Sequence, residues 1–206
     1  METLPSHRHS EARQRGFTLI EVLFAMIVLM VGMVALSSLA ARTMVGTAQS
    51  RFMGLSASLA SEKLEDLNRW PTWDPHVCVA AGTTAGSLTA DVQAASVTCN
   101  SITDTVDYYD DVEISDSTGA ICETVSSVSG GAQVYTTTCH QSSGVIATTT
   151  SATANTADIG AVAFHRRWTI EMDQPITGIK RMTVLVTLEN GFMNPPVSFQ
   201  LSLVRP

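Results

Sequence analysis

Three groups of residues in this chain have types and spacings suited to chemistry. Six acids, Asp104, Asp107, Asp110, Asp111, Glu113 and Asp116, crowd thirteen positions. Hard cations collect several such oxygens. No D-x-D-x-D-G loop is present, however, and alternation with Val106, Val112 and Ile114 reads as a solvated strand edge. His76 with Cys78, and Cys139 with His140, set zinc-type donors close together. In an oxidising compartment disulfides compete for those thiols. The third is Glu21, one carboxylate at the head of a long apolar run. An acid in such a place is a functional hypothesis whose partner must be named. No G-x-S-x-G, P-loop or dinucleotide fingerprint occurs. The chain is therefore expected not to be an enzyme, and no cofactor and no metal is assigned to it.

Glu21 leads to the element that carries it. Between Phe17 and Ala41, 20 of 25 residues are hydrophobic, against 45% for all 206 residues. Val22 to Ala41 holds no charge, and those 20 residues suffice to cross about 30 Å of hydrocarbon as a helix. Arg8, Arg13 and Arg15 precede the run, which keeps that end cytoplasmic and exports the rest. A cleaved secretory signal has a shorter apolar region and a small-x-small site. Here only Ser38-Leu39-Ala40, at the far end, approaches one. A plain anchor accepts the length but leaves Glu21 unexplained, at a cost of roughly 2.5–3.5 kcal/mol at the bilayer centre and less near the interface.

Arg15-Gly16-Phe17-Thr18-Leu19-Ile20-Glu21-Val22-Leu23 resembles the class III signal of type IV pilins and type II secretion pseudopilins. Leu59-Ala60-Ser61-Glu62-Lys63-Leu64-Glu65-Asp66-Leu67 is similar to the PilV-type minor pilins and their pseudopilin relatives. The resemblance covers about the first third of the chain. It implies cleavage by a prepilin peptidase between Gly16 and Phe17, and N-methylation of Phe17. Loss of a leader carrying +3 and −2, which includes His7 and His9, changes the net charge from −7 to −8. The new α-amine has a pKa near 7.7–8.0 and is mostly charged at neutral pH. Glu21 is expected to pair with that amine on a neighbouring subunit, fixing axial register more than adding stability.

Past the apolar run, Val45, Ala48, Phe52, Leu55 and Leu59 recur at helical spacing, and Leu64 and Leu67 extend a rotated stripe. Trp70-Pro71 ends it. No proline interrupts Phe17 to Arg69, so one helix of about 80 Å is expected, with Gly32, Gly46 and Gly54 its intrinsic weak points. The C-terminal third reads as an antiparallel meander. Phe164, Arg166, Trp168, Ile170 and Met172 alternate with polar neighbours, as do Met182, Val184, Val186 and Leu188, then Val197, Phe199, Leu201 and Leu203. Turn signals sit around Pro175 and Gly178, at Glu189-Asn190-Gly191 and at Asn194-Pro195-Pro196. One sheet face is almost wholly apolar, and the Leu55–Leu67 stripe is the natural cover. The expected fold class is α+β and pilin-like. A long N-terminal helix, transmembrane in one half and amphipathic in the other, packs on a C-terminal antiparallel β-sheet. The expected divisions are a leader at 1–16, a transmembrane and assembly helix at 17–41, an amphipathic helix at 42–70 and an exported β-rich domain at 71–206.

Four cysteines, Cys78, Cys99, Cys122 and Cys139, fall on the exported side and allow three pairings. Gly130-Gly131 is a two-residue hairpin signal. Counting outward from it, Ser129 faces Ala132, Val128 faces Gln133 and Cys122 faces Cys139. Cys122–Cys139 is therefore expected, leaving Cys78–Cys99. Thr124 to Ala157 carries no charge and is Thr- and Ser-rich, notably at Thr148-Thr149-Thr150-Ser151-Ala152-Thr153. It reads as a loop used for subunit contact, with an adhesive surface as the other reading.

The resemblance implies a minor pilin that assembles into or primes the type IV pilus and supports adhesion and motility. The alternatives are a type II secretion pseudopilin and a pilin-borne adhesin module. Retention of Glu21 implies an internal position, because tip-most pseudopilins characteristically lack it. Expected partners are the prepilin peptidase, other minor and major pilins, the assembly platform and the inner membrane. The C-terminal domain is expected in the periplasm and later in the pilus fibre at the cell surface. Nucleic acid is disfavoured by the acidic balance, with a basic stripe of Arg166, Arg167, Lys180 and Arg181 the one exception to weigh.

Overall fold

A computed structural model of the chain describes residues 18–114, 120–129, 132–140, 146–151, 162–189 and 196–206. Two compact units divide it, Met1–Thr47 and Ala48–Pro206. Helix α1, Leu19–Arg69, starts in the first and ends in the second. Its length follows from the absence of proline and an abundance of Ala, Leu and Met. Hydroxyls inside it bond back to the helix, as Ser37 Oγ does to the Met33 carbonyl at 2.8 Å and Ser56 Oγ to that of Phe52 at 2.9 Å. Pro71 stops it, since proline disfavours the α conformation in the residue before it. Its terminal carbonyls at Asn68 and Trp70 each accept a bond from Arg205 Nη1 at 2.9 Å. This cation at the helix C-terminus comes from the last strand of the sheet.

In the second unit the strands are β1 (Thr84–Gly86), β2 (Gln93–Cys99), β3 (Ile102–Asp107), β4 (Tyr109–Ile114), β5 (Ile121–Ser129), β6 (Ala132–His140), β7 (Ile146–Ser151), β8 (Val162–Met172), β9 (Lys180–Leu188) and β10 (Ser198–Arg205). The main sheet runs β10-β9-β8-β4-β5-β6-β7, and every pairing in it is antiparallel. One long strand, β8, serves two neighbours on the same side. Its Val162–Arg167 stretch pairs with β4, and Thr169–Glu171 pairs with β1. Gly86 makes that junction possible. At φ +77° it stands where a Cβ would lie 2.2 Å from the Trp168 carbonyl oxygen.

Period-two alternation decides which face of the sheet is buried. Phe164, Trp168 and Ile170 share a face with Met182, Val184 and Val186, and all six are buried. Leu59, Ala60, Leu64 and Leu67 of α1 join them in one core. Each such leucine removed from water contributes roughly 1.5–3 kcal/mol. The expected cover of the sheet by the Leu55–Leu67 stripe is what the structure has, and the fold is the α+β arrangement read from periodicity. The separate β2–β3 hairpin turns through Asn100 and Ser101, both at positive φ (47° and 68°), as a two-residue hairpin turn requires. The uncharged Thr-rich region is a correction. Its described parts are strands β5, β6 and β7 rather than a loop, because Thr and Val suit a pleated surface. Gly130-Gly131, residues 152–157 and the turn residues 190–195 lie outside the described residues.

Candidate functional site

In the unit Met1–Thr47, α1 leaves its apolar side chains uncovered. Ile20 is 65% exposed, Phe24 62%, Leu29 59% and Leu36 68%, and none of the most apolar 18-residue window is buried. Leu19 to Ala41 is 23 residues, about 35 Å of helix, and so long enough and apolar enough to cross a membrane. Exposed apolar surface on this scale marks a membrane or protein contact. Glu21 is the acid of the first turn, with its side chain exposed and its amide bonded to the Thr18 carbonyl at 3.0 Å. The helix dipole favours a carboxylate there by about 0.3–1 kcal/mol. Gly16 and Phe17 lie outside the described residues.

A second constellation, within Ala48–Pro206, was not read from the sequence. Arg166 interrupts the apolar face of β8, and it is fully buried. Its Nε donates to Asp110 Oδ1 at 2.6 Å and its Nη2 to Asp110 Oδ2 at 2.8 Å, a bidentate pair across β8 and β4. Nη2 also meets Glu123 of β5. From α1, Lys63 Nζ reaches Asp110 Oδ2 at 3.1 Å and lies 4.2 Å over the Trp168 ring. Two cations and two carboxylates thus balance beneath the helix. Burial pushes the Asp110 carboxyl up, but the charges of Lys63 and Arg166 outweigh it and hold its pKa below the ordinary value. Burial likewise opposes the Arg166 charge, and Asp110 and Glu123 overcome it.

These contacts correct two expectations. Asp110 is not part of a solvated acidic face, because its register partner on β8 is Arg166 and both point toward the core. Nor do the four basic residues make a surface stripe. Arg166 is buried, and Lys180 is 4% exposed and donates to the Val77 carbonyl at 2.6 Å. Burial lowers the Lys180 pKa. Arg167 is bonded to Asp91 and Arg181 to Glu171, each at 2.7 Å. Alternation could have separated Arg166 from Arg167, but nothing local names Asp110, 56 positions away, as its partner.

Residues 12–37 match the family described as the prokaryotic N-terminal methylation motif. The chain is type IV pilin-like. No curated protein and no solved structure matches it significantly. The motif implies processing by a prepilin peptidase and assembly with pilins, and it marks a structural rather than an enzymatic protein. A pilin-like chain with this helix is anchored in the inner membrane before assembly, with its C-terminal domain in the periplasm.

The cysteines of this pilin-like domain form two disulfides, Cys78–Cys99 and Cys122–Cys139. The second joins Cα partners of β5 and β6, 3.9 Å apart, in the register obtained by counting from Gly130-Gly131. Neither pair of neighbouring His and Cys residues makes a zinc centre, since all four sulfurs are spent. His76 instead bonds Asp74 Oδ1 at 2.9 Å and stacks on Trp70, with ring centroids 4.7 Å apart. On the sheet face opposite α1, His165 lies between Asp111 at Nδ1 and Asp91 at Nε2, the latter at 2.8 Å. The hydrogen bond to Asp111 raises its pKa, and burial opposes the rise.

Proposed function

We propose that the chain is a minor pilin resembling the PilV type, which assembles into or primes the type IV pilus. In this reading residues 1–16 are the leader, 17–41 the membrane and assembly helix, 42–70 the amphipathic helix and 71–206 the exported domain. The observation that carries it is a methylation-motif match at 12–37 overlying a helix whose apolar surface is exposed from its first turn and whose first-turn acid is Glu21. The prepilin peptidase cuts between Gly16 and Phe17 and the new α-amine of Phe17 is methylated. In the membrane Glu21 and a neighbour's α-amine are complementary charges. Their pairing sets the axial offset between subunits, because an unpaired partner stays costly in a low dielectric. The chain then passes from the inner membrane into the fibre at the cell surface, with other pilins and the assembly platform as partners.

The mass of membrane-extracted chain should equal Phe17–Pro206 plus one methyl group; an attached leader overturns the processing assignment. Glu21→Val should be cut normally yet fail to enter pili, whereas normal incorporation removes the register role. Loss of twitching rather than of protein secretion on deletion supports the pilus over a type II secretion system, and the reverse phenotype refutes it.

A further inference from the structure

The outer face of the sheet carries a donor set that pilin assembly does not use. Asp111 of β4 and His165 of β8 are register partners, and Glu189 follows the last residue of β9. The three donor atoms all lie within 4.8 Å of one another. His165 Nδ1 contacts Asp111 and stands 3.9 Å from Glu189 Oε1. Backbone pairing fixes all three positions, since the Glu189 amide donates to the Ala163 carbonyl at 3.0 Å and Thr187 faces His165 across β8 and β9. The His165 side chain is 9% exposed, while those of Asp111 and Glu189 are 44% and 49% exposed. Solvent therefore reaches the converging oxygens but hardly the ring.

We propose that His165 Nδ1, Asp111 and Glu189 bind a divalent transition-metal ion of the zinc class, leaving a coordination position open to water. The other ring nitrogen supplies an independent argument. Nε2 bonds Asp91 Oδ1 at 2.8 Å, and the same oxygen accepts from Arg167 Nε at 2.7 Å. A carboxylate on the distal nitrogen, itself held in place, is the outer shell that orients metal-binding histidines, and the ion displaces the proton that Nδ1 shares with Asp111. Charge points the same way. Arg167 bonds Asp91, so two carboxylates converge on Nδ1, and among the described residues the ion pairs of Asp111 and Glu189 are with His165. Zinc–nitrogen and zinc–oxygen bonds of about 2.0–2.2 Å put tetrahedral ligands about 3.3 Å apart. Asp111 steps back from its contact, and the flexible Glu189 closes in. One nitrogen and two oxygens suit Zn2+ or Mn2+, whereas Ca2+ takes six to eight oxygens. The bound ion links β4, β8 and the end of β9 across the outer face.

The test is calorimetric titration of metal-stripped, full-length protein in detergent with ZnCl2. Wild type is compared with Glu189→Gln, Asp91→Asn, His165→Gln and His76→Ala. One equivalent is expected to bind at this site. Affinity should fall at least tenfold in Glu189→Gln and about 10–100-fold in Asp91→Asn. It should vanish in His165→Gln, stay unchanged in His76→Ala, and resist excess Ca2+. Because every protein is compared with wild type, binding at His7, His9 or His140 cancels. Glu189→Gln alters a half-exposed side chain with one long contact, so it decides the matter even if His165→Gln fails to fold. No binding by wild type overturns the proposal. So does undiminished binding in Glu189→Gln, which marks an adventitious ion only.

Discussion

Asp110→Asn tests the charged joint between helix and sheet. The substitution keeps the side chain's shape and removes one charge at a position that is 1% exposed. Arg166, fully buried, then keeps only Glu123, whose side chain is 30% exposed. Lys63, 14% exposed, keeps Asp66 at 3.8 Å and the face of the Trp168 ring. Removing one member of a buried pair costs about 3–5 kcal/mol, because the other charge stays desolvated. Against a total stability of about 5–15 kcal/mol the domain should still fold. With an m-value near 2 kcal/mol/M, the urea midpoint should fall by about 2 M. Fluorescence of Trp168, which lies under Lys63, reports the transition in the full chain. Lys63→Met should cost less than Asp110→Asn, because Asp110 keeps its bidentate bonds to Arg166. The double variant Asp110→Asn with Arg166→Met should cost far less than the sum of the singles, because neither fully buried charge is left without the other, and Lys63 and Glu123 lie nearer solvent. The pH dependence follows from sign. Asp110 titrates below its ordinary 3.8 in the folded state, so its contribution is complete above that value and disappears as pH falls through the folded pKa. The gap between wild type and Asp110→Asn should therefore be full at neutral pH and close below about pH 4. Burial raises the Asp107 pKa and acts in the opposite sense, which is why the difference and not the wild-type curve is the read-out. A midpoint shift under about 0.3 M at neutral pH, or strict additivity in the double variant, would refute the reasoning.

Three further outcomes are expected. Non-reducing peptide mapping should recover Cys78 with Cys99 and Cys122 with Cys139, and removal of the latter bridge, which closes a separation of 17, should cost about 3 kcal/mol. Gly86→Ala should destabilise by more than about 2 kcal/mol in denaturant melts, since a Cβ there meets the Trp168 carbonyl and the backbone is left-handed. Arg205→Ala should cost about 1–2 kcal/mol and speed amide exchange near Trp70, because it strips two bonds from the helix terminus.

How much could be read ahead depended on the range of the interactions. The helix, the β8–β9–β10 meander and the β5–β6 register are written in local period, in proline placement and in one glycine pair, so they were legible. The charged joint and the metal donor set were not. Arg166 finds Asp110 across 56 positions and His165 finds Asp111 across 54, through a β4–β8 pairing that no local pattern encodes. The sequence places Asp110 and Asp111 side by side in an acidic run, and β4 sends them to opposite faces. One becomes the counter-ion that seats the helix on the sheet, and the other joins a histidine on the far side. Their different fates follow from a single fact, that side chains on a strand alternate. What the sequence lacked was the identity of the neighbouring strand. Once β8 is known to lie beside β4, the Arg166-before-Arg167 order and the His165-before-Arg166 order assign every charge in the region to its face. Within the acidic run Asp110 and Asp111 are then two half-sites completed by one distant strand, while Asp104 stays exposed as expected and Asp116 lies outside the described residues.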